Sequence, residues 1–147
     1  MKCENYITFE CLSRSANEAF ARGAVACFAA QLDPTLEELG DIKTAVSEAV
    51  TNAIVHAYPD TLGRIQVRCR ILEGDVLEIV VRDWGRGIAD VEQARAPLYT
   101  TGGPERSGMG FTIMESFMDG LKVRSQPGKG TVVTMRKRIA RRAGVSK

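Results

Sequence analysis

The sequence has no pair of cysteines at C-x-x-C spacing and only one histidine, His56. Cys3, Cys11, Cys27 and Cys69 are spread unevenly with no histidine near them, which argues against both a zinc site and a disulfide framework. Reduced thiols in a cytoplasmic protein fit this usage. No apolar run approaches the length that crosses a bilayer, and Met1-Lys2-Cys3-Glu4-Asn5 has no apolar signal core behind its lysine, so neither a membrane partner nor export is expected. A Gly-x-x-x-x-Gly-Lys-Ser/Thr loop is missing, which disfavours a P-loop nucleotide site, and the glycines around Gly108 do not satisfy G-x-G-x-x-G. Internal repeats and low-complexity segments are missing too.

What is present suits one compact domain spanning 1–147. The apolar fraction of 44% and charged fraction of 26% are ordinary for a globular protein. Net charge is only +2, yet Arg136, Lys137, Arg138, Arg141, Arg142 and Lys147 gather near the C-terminus. Such a basic tail, from about residue 140, is either a solvated end or a contact for nucleic acid or an acidic partner, the solvated end being the favoured reading. No direct nucleic-acid contact is expected.

Tyr6 to Leu12 reads as a strand, and Ser13 to Ser15 as a possible helix start. From Ala16 to Leu32, a helix would place Ala16, Phe20, Ala24, Cys27 and Phe28 on its packing stripe, with Glu18 and Arg22 on the free side. Asp33-Pro34 suits the opening of the next helix, since Asp accepts a bond from an orphan N–H and Pro loses nothing at the first position. Leu36, Leu39, Ile42, Val46, Ala49, Val50, Ala53 and Ala57 continue it at three- and four-residue spacings, and Pro59 lies beyond its end. Arg64 to Leu72 alternates apolar and polar residues, and after Glu73-Gly74-Asp75 the more apolar Val76 to Asp83 pairs with it as the more central strand. Phe111 to Met118 predicts a short helix, and Leu121 to Ser125 with Thr131 to Ile139 a second hairpin. The fold expected is α+β: a two-layer sandwich whose mixed, mostly antiparallel sheet is covered on one face by helices.

Four short stretches lie in an order that suits the walls of one nucleotide pocket: Glu48 to Asn52, Asp83 to Gly87, Gly108 to Gly110, and Gly130-Thr131. Glu48 and Asn52 are one turn apart on a helix, so both side chains can reach one ligand. An Asn carbonyl is a hard ligand for Mg²⁺, and a carboxylate one turn earlier can take a proton from an attacking hydroxyl or water. Both would equally serve as plain polar residues on an outer helix face. His56 continues the same row and reads as a helix-end residue. Asp83 ends an apolar strand and can accept from an adenine amino group, while Gly85 and Gly87 permit close approach; an ordinary Asp turn is the alternative. Gly108-Met109-Gly110 before the Phe111 helix points backbone N–H groups at a phosphate, or forms a tight turn. Between Arg95 and Ser107, a segment with Gly102-Gly103-Pro104 reads as a lid bringing Arg106 to the terminal phosphate, or as a surface loop.

Together these stretches resemble the N, G1, G2 and G3 boxes of the Bergerat-fold ATP-binding superfamily, which includes gyrase B, MutL and histidine kinases. Ser47-Glu-Ala-Val-Thr-Asn-Ala53 and Glu105-Arg-Ser-Gly-Met-Gly-Phe-Thr-Ile-Met114 are similar to the anti-sigma F family of endospore-forming bacteria. The resemblance implies a serine protein kinase using ATP and Mg²⁺, with Glu48 as catalytic base, Asn52 on the metal, Asp83 on adenine and Arg106 near the terminal phosphate. It extends the nucleotide-binding set to Gly85, Gly87, Thr101, Ser107, Gly108, Met109, Gly110, Phe111 and Thr131. It further implies a homodimer that holds sigma factor F away from RNA polymerase, an anti-anti-sigma partner phosphorylated on serine, and a partner surface at Arg22 with Glu18. Trp84 and Arg86 are bulkier than expected in the G1 box. A related stress-response kinase, an ATPase using water, and a nucleotide-gated sigma-binding module share the same motifs.

Overall fold

The computed structural model describes residues 1–96 and 110–140. Five strands form one sheet: β1 (Cys3–Leu12), β2 (Arg64–Leu72), β3 (Val76–Asp83), β4 (Gly120–Gln126) and β5 (Gly130–Arg138). Their spatial order is β1-β2-β3-β5-β4, which makes the apolar β3 central as its composition implies. Every ladder is antiparallel, so the mixed sheet expected from sequence is corrected. Two hairpins and their antiparallel neighbours need no parallel crossover.

The long helices are α1 (Ala16–Ala29) and α2 (Leu36–Asn52); α3 (Val91–Arg95) and α4 (Gly110–Phe117) are short. They cover the sheet face that carries Ile65, Val67, Cys69, Leu77, Ile79, Val81, Val133 and Met135, all buried. Alternation along each strand sends the remaining side chains to the open face. Burial pushes the Cys69 thiol up to about 12, which leaves it inert in the core.

Three local expectations are revised. On α1 the inward row is Ala21, Val25, Phe28 and Ala29, whereas Ala16, Phe20 and Cys27 are exposed. Small side chains on this row permit close packing on α2, and Phe20 meets Phe9 edge-on at 5.5 Å instead of entering the core. Helix α2 begins two residues later than Asp33-Pro34 suggests. Thr35 caps it, accepting from the Glu38 N–H at 3.0 Å while the Glu38 carboxylate accepts from the Thr35 N–H at 2.8 Å. Asp33 instead has a left-handed φ of 51° at the end of a preceding 3-10 turn, Ala30–Leu32. Leu36, in the first turn of α2, is therefore solvent-facing at 89% exposure.

Candidate functional site

The end of α2 widens into a π-helical segment, Ala53–Ala57, before Tyr58 leaves the helix. Such widened turns are uncommon and concentrate at functional sites. Here it sets Ala53, His56 and Ala57 into the wall of a cavity of about 320 Å³. The facing wall is the end of the sheet, with Val81 and Asp83 of β3 and Thr131 and Val133 of β5. Asn52 and Gly110 bound one end, and the chain from Arg86 to Ala94 bounds the other.

Asp83 is 6% exposed, and its Oδ1 accepts from the Gly85 N–H at 3.0 Å and the Thr131 N–H at 3.2 Å. Burial pushes its carboxyl above the ordinary value of 3.8 despite these two bonds. A carboxylate kept in a cleft at that cost is a recognised mark of a binding group.

The glycines around Asp83 have steric causes. A Cβ at Gly85 would stand 2.3 Å from the Ala57 carbonyl oxygen, against the end of the widened helix. At Gly130, φ is +103° and a Cβ would fall 2.1 Å from the Asp83 carbonyl oxygen. The pair Gly130-Thr131 thus lets β5 lie against the Asp83 turn while its N–H reaches the carboxylate.

Ser125 fastens this assembly. Its hydroxyl accepts from the Ile88 N–H at 2.7 Å, donates to the Gly130 carbonyl at 3.0 Å and lies 2.8 Å from the Thr131 hydroxyl. Tyr58 fastens the other side: its hydroxyl donates to the Arg64 carbonyl at 2.7 Å and accepts from the Trp84 N–H at 2.8 Å. Burial raises the phenol above its ordinary value of 10.0, so it stays protonated and able to donate. Tyr58→Phe removes both bonds and leaves the Trp84 N–H unpaired; an urea unfolding curve is expected to show a loss of about 1 to 2 kcal/mol. An unchanged midpoint would mean that the hydroxyl does not brace the turn.

At the end of the cavity bounded by Asn52, Gly110 opens α4 directly against α2. A Cβ there would lie 3.1 Å from Asn52 Nδ2, 3.2 Å from Asn52 Oδ1 and 3.3 Å from Glu48 Oε2. Both α2 side chains therefore converge on one point at the start of α4, where helical N–H groups lack intrahelical partners. This arrangement can hold an anion beside a proton acceptor and a neutral oxygen ligand.

The structure brings Asn52, Asp83, Gly87, Gly110, Phe111 and Thr131 to the cavity lining, and Glu48 to its edge beside Gly110. Glu18 and Arg22 lie on α1 away from it, joined at 3.7 Å. Thr101, Arg106, Ser107, Gly108 and Met109, the lid segment, and Arg141, Arg142 and Lys147 of the tail lie outside the described residues. Trp84 is not part of the lining; Arg64 and Arg82 stack on its ring at 3.7 and 4.6 Å. Sequence reasoning assigned no pocket role to His56, Asp90 or Gln93, all of which line the cavity. Asp90 carried a usable signal: with Gln93 three residues on it has the pattern of a helix start, and its Oδ1 accepts from the Gln93 N–H at 3.1 Å to cap α3. A widened turn at His56 has no comparable sequence mark.

An antiparallel sheet backed by helices, with a cavity between α2, α4 and the sheet end, is the architecture of a histidine kinase-like ATPase domain. The family model of that description matches residues 12–137. The chain is 57% identical over 142 residues to the anti-sigma F factor of Caldanaerobacter subterraneus subsp. tengcongensis, covering 96% of this chain and 99% of that one. It is 59% identical to the anti-sigma F factor of Pasteuria penetrans, covering 92% and 91% respectively. Among solved structures, the RsbU and RsbW domains of Rv1364c from Mycobacterium tuberculosis share the fold, with a TM-score of 0.70 at 20% identity over 97% of this chain and 34% of that one. The chain belongs to the histidine kinase-like ATPase family and, within it, to the anti-sigma F factors.

Proposed function

We propose that the protein is an ATP-dependent serine kinase and anti-sigma factor that sequesters sigma factor F and phosphorylates an anti-anti-sigma partner. The observation that carries this reading is the convergence of Glu48 and Asn52 on Gly110 at the mouth of α4. A pocket that only held nucleotide would need no carboxylate there, because a negative charge repels phosphate. Glu48 has a use if a hydroxyl must lose its proton as it attacks.

In this scheme Asp83 accepts from the adenine amino group and so selects the base, while its Oδ1 is occupied by Gly85 and Thr131. The first N–H groups of α4 face the phosphates and stabilise their charge. Glu48 accepts the proton of the attacking serine as general base. Mg²⁺ fits the hard oxygen of Asn52, needs few protein ligands beside phosphates and water, and would neutralise charge on the transferring group. Among the described residues no cluster of three acidic, His or Cys side chains competes for a metal. Arg106 completes the charge balance at the terminal phosphate.

Arg22 and Glu18 form the partner surface. Glu18 Oε2 is shielded from solvent and without a hydrogen-bond partner, at 3.7 Å from Arg22, so a partner carboxylate can compete for that guanidinium. Two copies act as a homodimer in the cytoplasm; among the described residues no helix is long and apolar enough to cross a membrane.

Purified protein mixed with Mg-ATP and an anti-anti-sigma protein from the same organism is expected to place phosphate on a serine of that protein, detectable by mass spectrometry. Normal ATP binding with no phosphoserine would sink the kinase reading. Release of free phosphate in that experiment would point to water as the acceptor.

A further inference from the structure

The sheet face turned away from the helices carries a charge that the cavity does not use. On β2 the outward residues include Arg64, Arg68 and Arg70, and on β4 they include Lys122 and Arg124. Arg82 on β3, with Arg136 and Arg138 on β5, completes eight cations across these four strands. A single carboxylate, Glu78, stands among them. The outward residues of these four strands thus carry a surplus of seven positive charges, of which Arg64 is met at 3.7 Å by Glu10 on the same face of β1, whereas the whole sequence has a net charge of only +2.

Glu78 organises the face. It is 2% exposed, and its Oε1 accepts from Arg70 Nε at 2.7 Å while its Oε2 accepts from Arg136 Nε at 2.9 Å. Burial alone would raise its carboxyl, but the bonds from Arg136 and Arg70 outweigh that and hold it below the ordinary value, so it stays charged. Two guanidinium planes are thereby fixed before any ligand arrives, which lowers the entropy lost on binding. Beside them, Lys122 and Arg124 meet no carboxylate among the described residues. The two sides enclose a shallow groove of about 520 Å³ with Val80, Val132 and Thr134 at its floor.

We propose that this open sheet face is a docking surface for an acidic polypeptide segment of a partner protein, separate from the nucleotide cavity and from the Arg22 surface. Guanidinium forks match carboxylates in pairs, and the aliphatic floor suits the stems of Asp and Glu side chains. Nucleic acid is the poorer occupant. Glu78 stands in the groove, and the aromatic rings of this face are out of position for stacking bases: Tyr6 is on the far edge strand, and Trp84 is covered by Arg64 and Arg82. Membrane is poorer still, since the exposed apolar side chains of this face, Tyr6 and Leu12, stand on the edge strand β1 and not among the arginines of the groove.

The test uses the full chain with a fluorescein-labelled poly-glutamate peptide at low ionic strength, read by anisotropy. Binding is expected, with an affinity that falls as salt rises. The double variant Lys122→Glu, Arg124→Glu is expected to weaken it by about tenfold or more, with ATP affinity and phosphotransfer unchanged. Neutralising the tail by Arg141→Gln, Arg142→Gln and Lys147→Gln is expected to leave it intact. The proposal is overturned by no binding at low salt, by equal binding to the charge-reversed variant, or by loss of binding on tail neutralisation. It is also overturned if a DNA duplex or phosphatidylserine vesicles bind this face more tightly than the peptide. ATP binding and phosphotransfer are read separately, so failure here leaves the kinase reading untouched.

Discussion

Glu48→Gln is expected to lower phosphoserine formation by about 10²- to 10⁴-fold, the usual contribution of a positioned general base. The substitution keeps the size and shape of the side chain and removes only its ability to take a proton. Nucleotide affinity should hardly change, because the cavity itself is lined by Asn52, Ala53 and Ala57 of the same helix, and Glu48 stands at its edge beside Gly110. A small gain in affinity is even in order, since a negative charge near the phosphates is removed. The measurement is single-turnover transfer to the partner at saturating Mg-ATP, with nucleotide binding followed separately by calorimetry. Transfer at the wild-type rate would remove Glu48 from the mechanism. Loss of binding along with transfer would show instead that the carboxylate holds the pocket together.

Spacing alone put the two side chains on one face of α2, whereas their separate roles came from the resemblance to the family. Glu48 and Asn52 are one helical turn apart, and a secure apolar stripe on α2 fixed which way they face. The hairpin from Arg64 to Asp83 was equally plain, because strict alternation leaves one register that buries Ile65, Val67 and Cys69 together. Where sequence reasoning failed, tertiary contacts chose between close alternatives. On α1 both the Phe20 row and the Ala21 row have helical spacing, and only the proximity of α2 favours the smaller side chains. At the start of α2, Asp33 and Thr35 are both able caps, and the second wins because Glu38 stands three residues after it to close the reciprocal bond.

The site shows the same division. Gly130-Thr131 looked like an ordinary hairpin end, yet its steric fit against Asp83 depends on β3 and β5 being neighbours, which no local pattern states. Ser125 is invisible for the same reason: its three contacts join β4, β5 and the chain at Ile88. The open face was read as merely wet because its cations alternate with apolar residues, as on any half-buried strand. Only the sheet order brings Arg70 and Arg136 to opposite oxygens of Glu78.

Asp83→Asn is expected to weaken ATP binding by about tenfold to a hundredfold while leaving the apoprotein at least as stable at neutral pH. The amide can keep the Oδ1 bonds from Gly85 and Thr131, so the turn survives. Its other atom becomes a donor, and two donors then face each other where an adenine amino group had met a carboxylate; a lost charged hydrogen bond of this kind costs about 1.5 to 3 kcal/mol. Stability moves the other way. Burial raises the folded carboxyl above its ordinary value of 3.8, so the proton-linked stability from Asp83 is complete below that value and is lost as pH rises through the folded one. At neutral pH the ionised, desolvated carboxylate is a net cost, and Asn does not carry it. The thermal midpoint of the apo variant should therefore equal or exceed that of the wild type at pH 7, and its advantage should shrink as the pH is lowered toward 3.8. ATP binding by the wild type should weaken over the same descent, as the acceptor becomes protonated. Unaltered ATP affinity in the variant would remove Asp83 from base recognition, and a lower midpoint at pH 7 would show that its charge stabilises the turn after all.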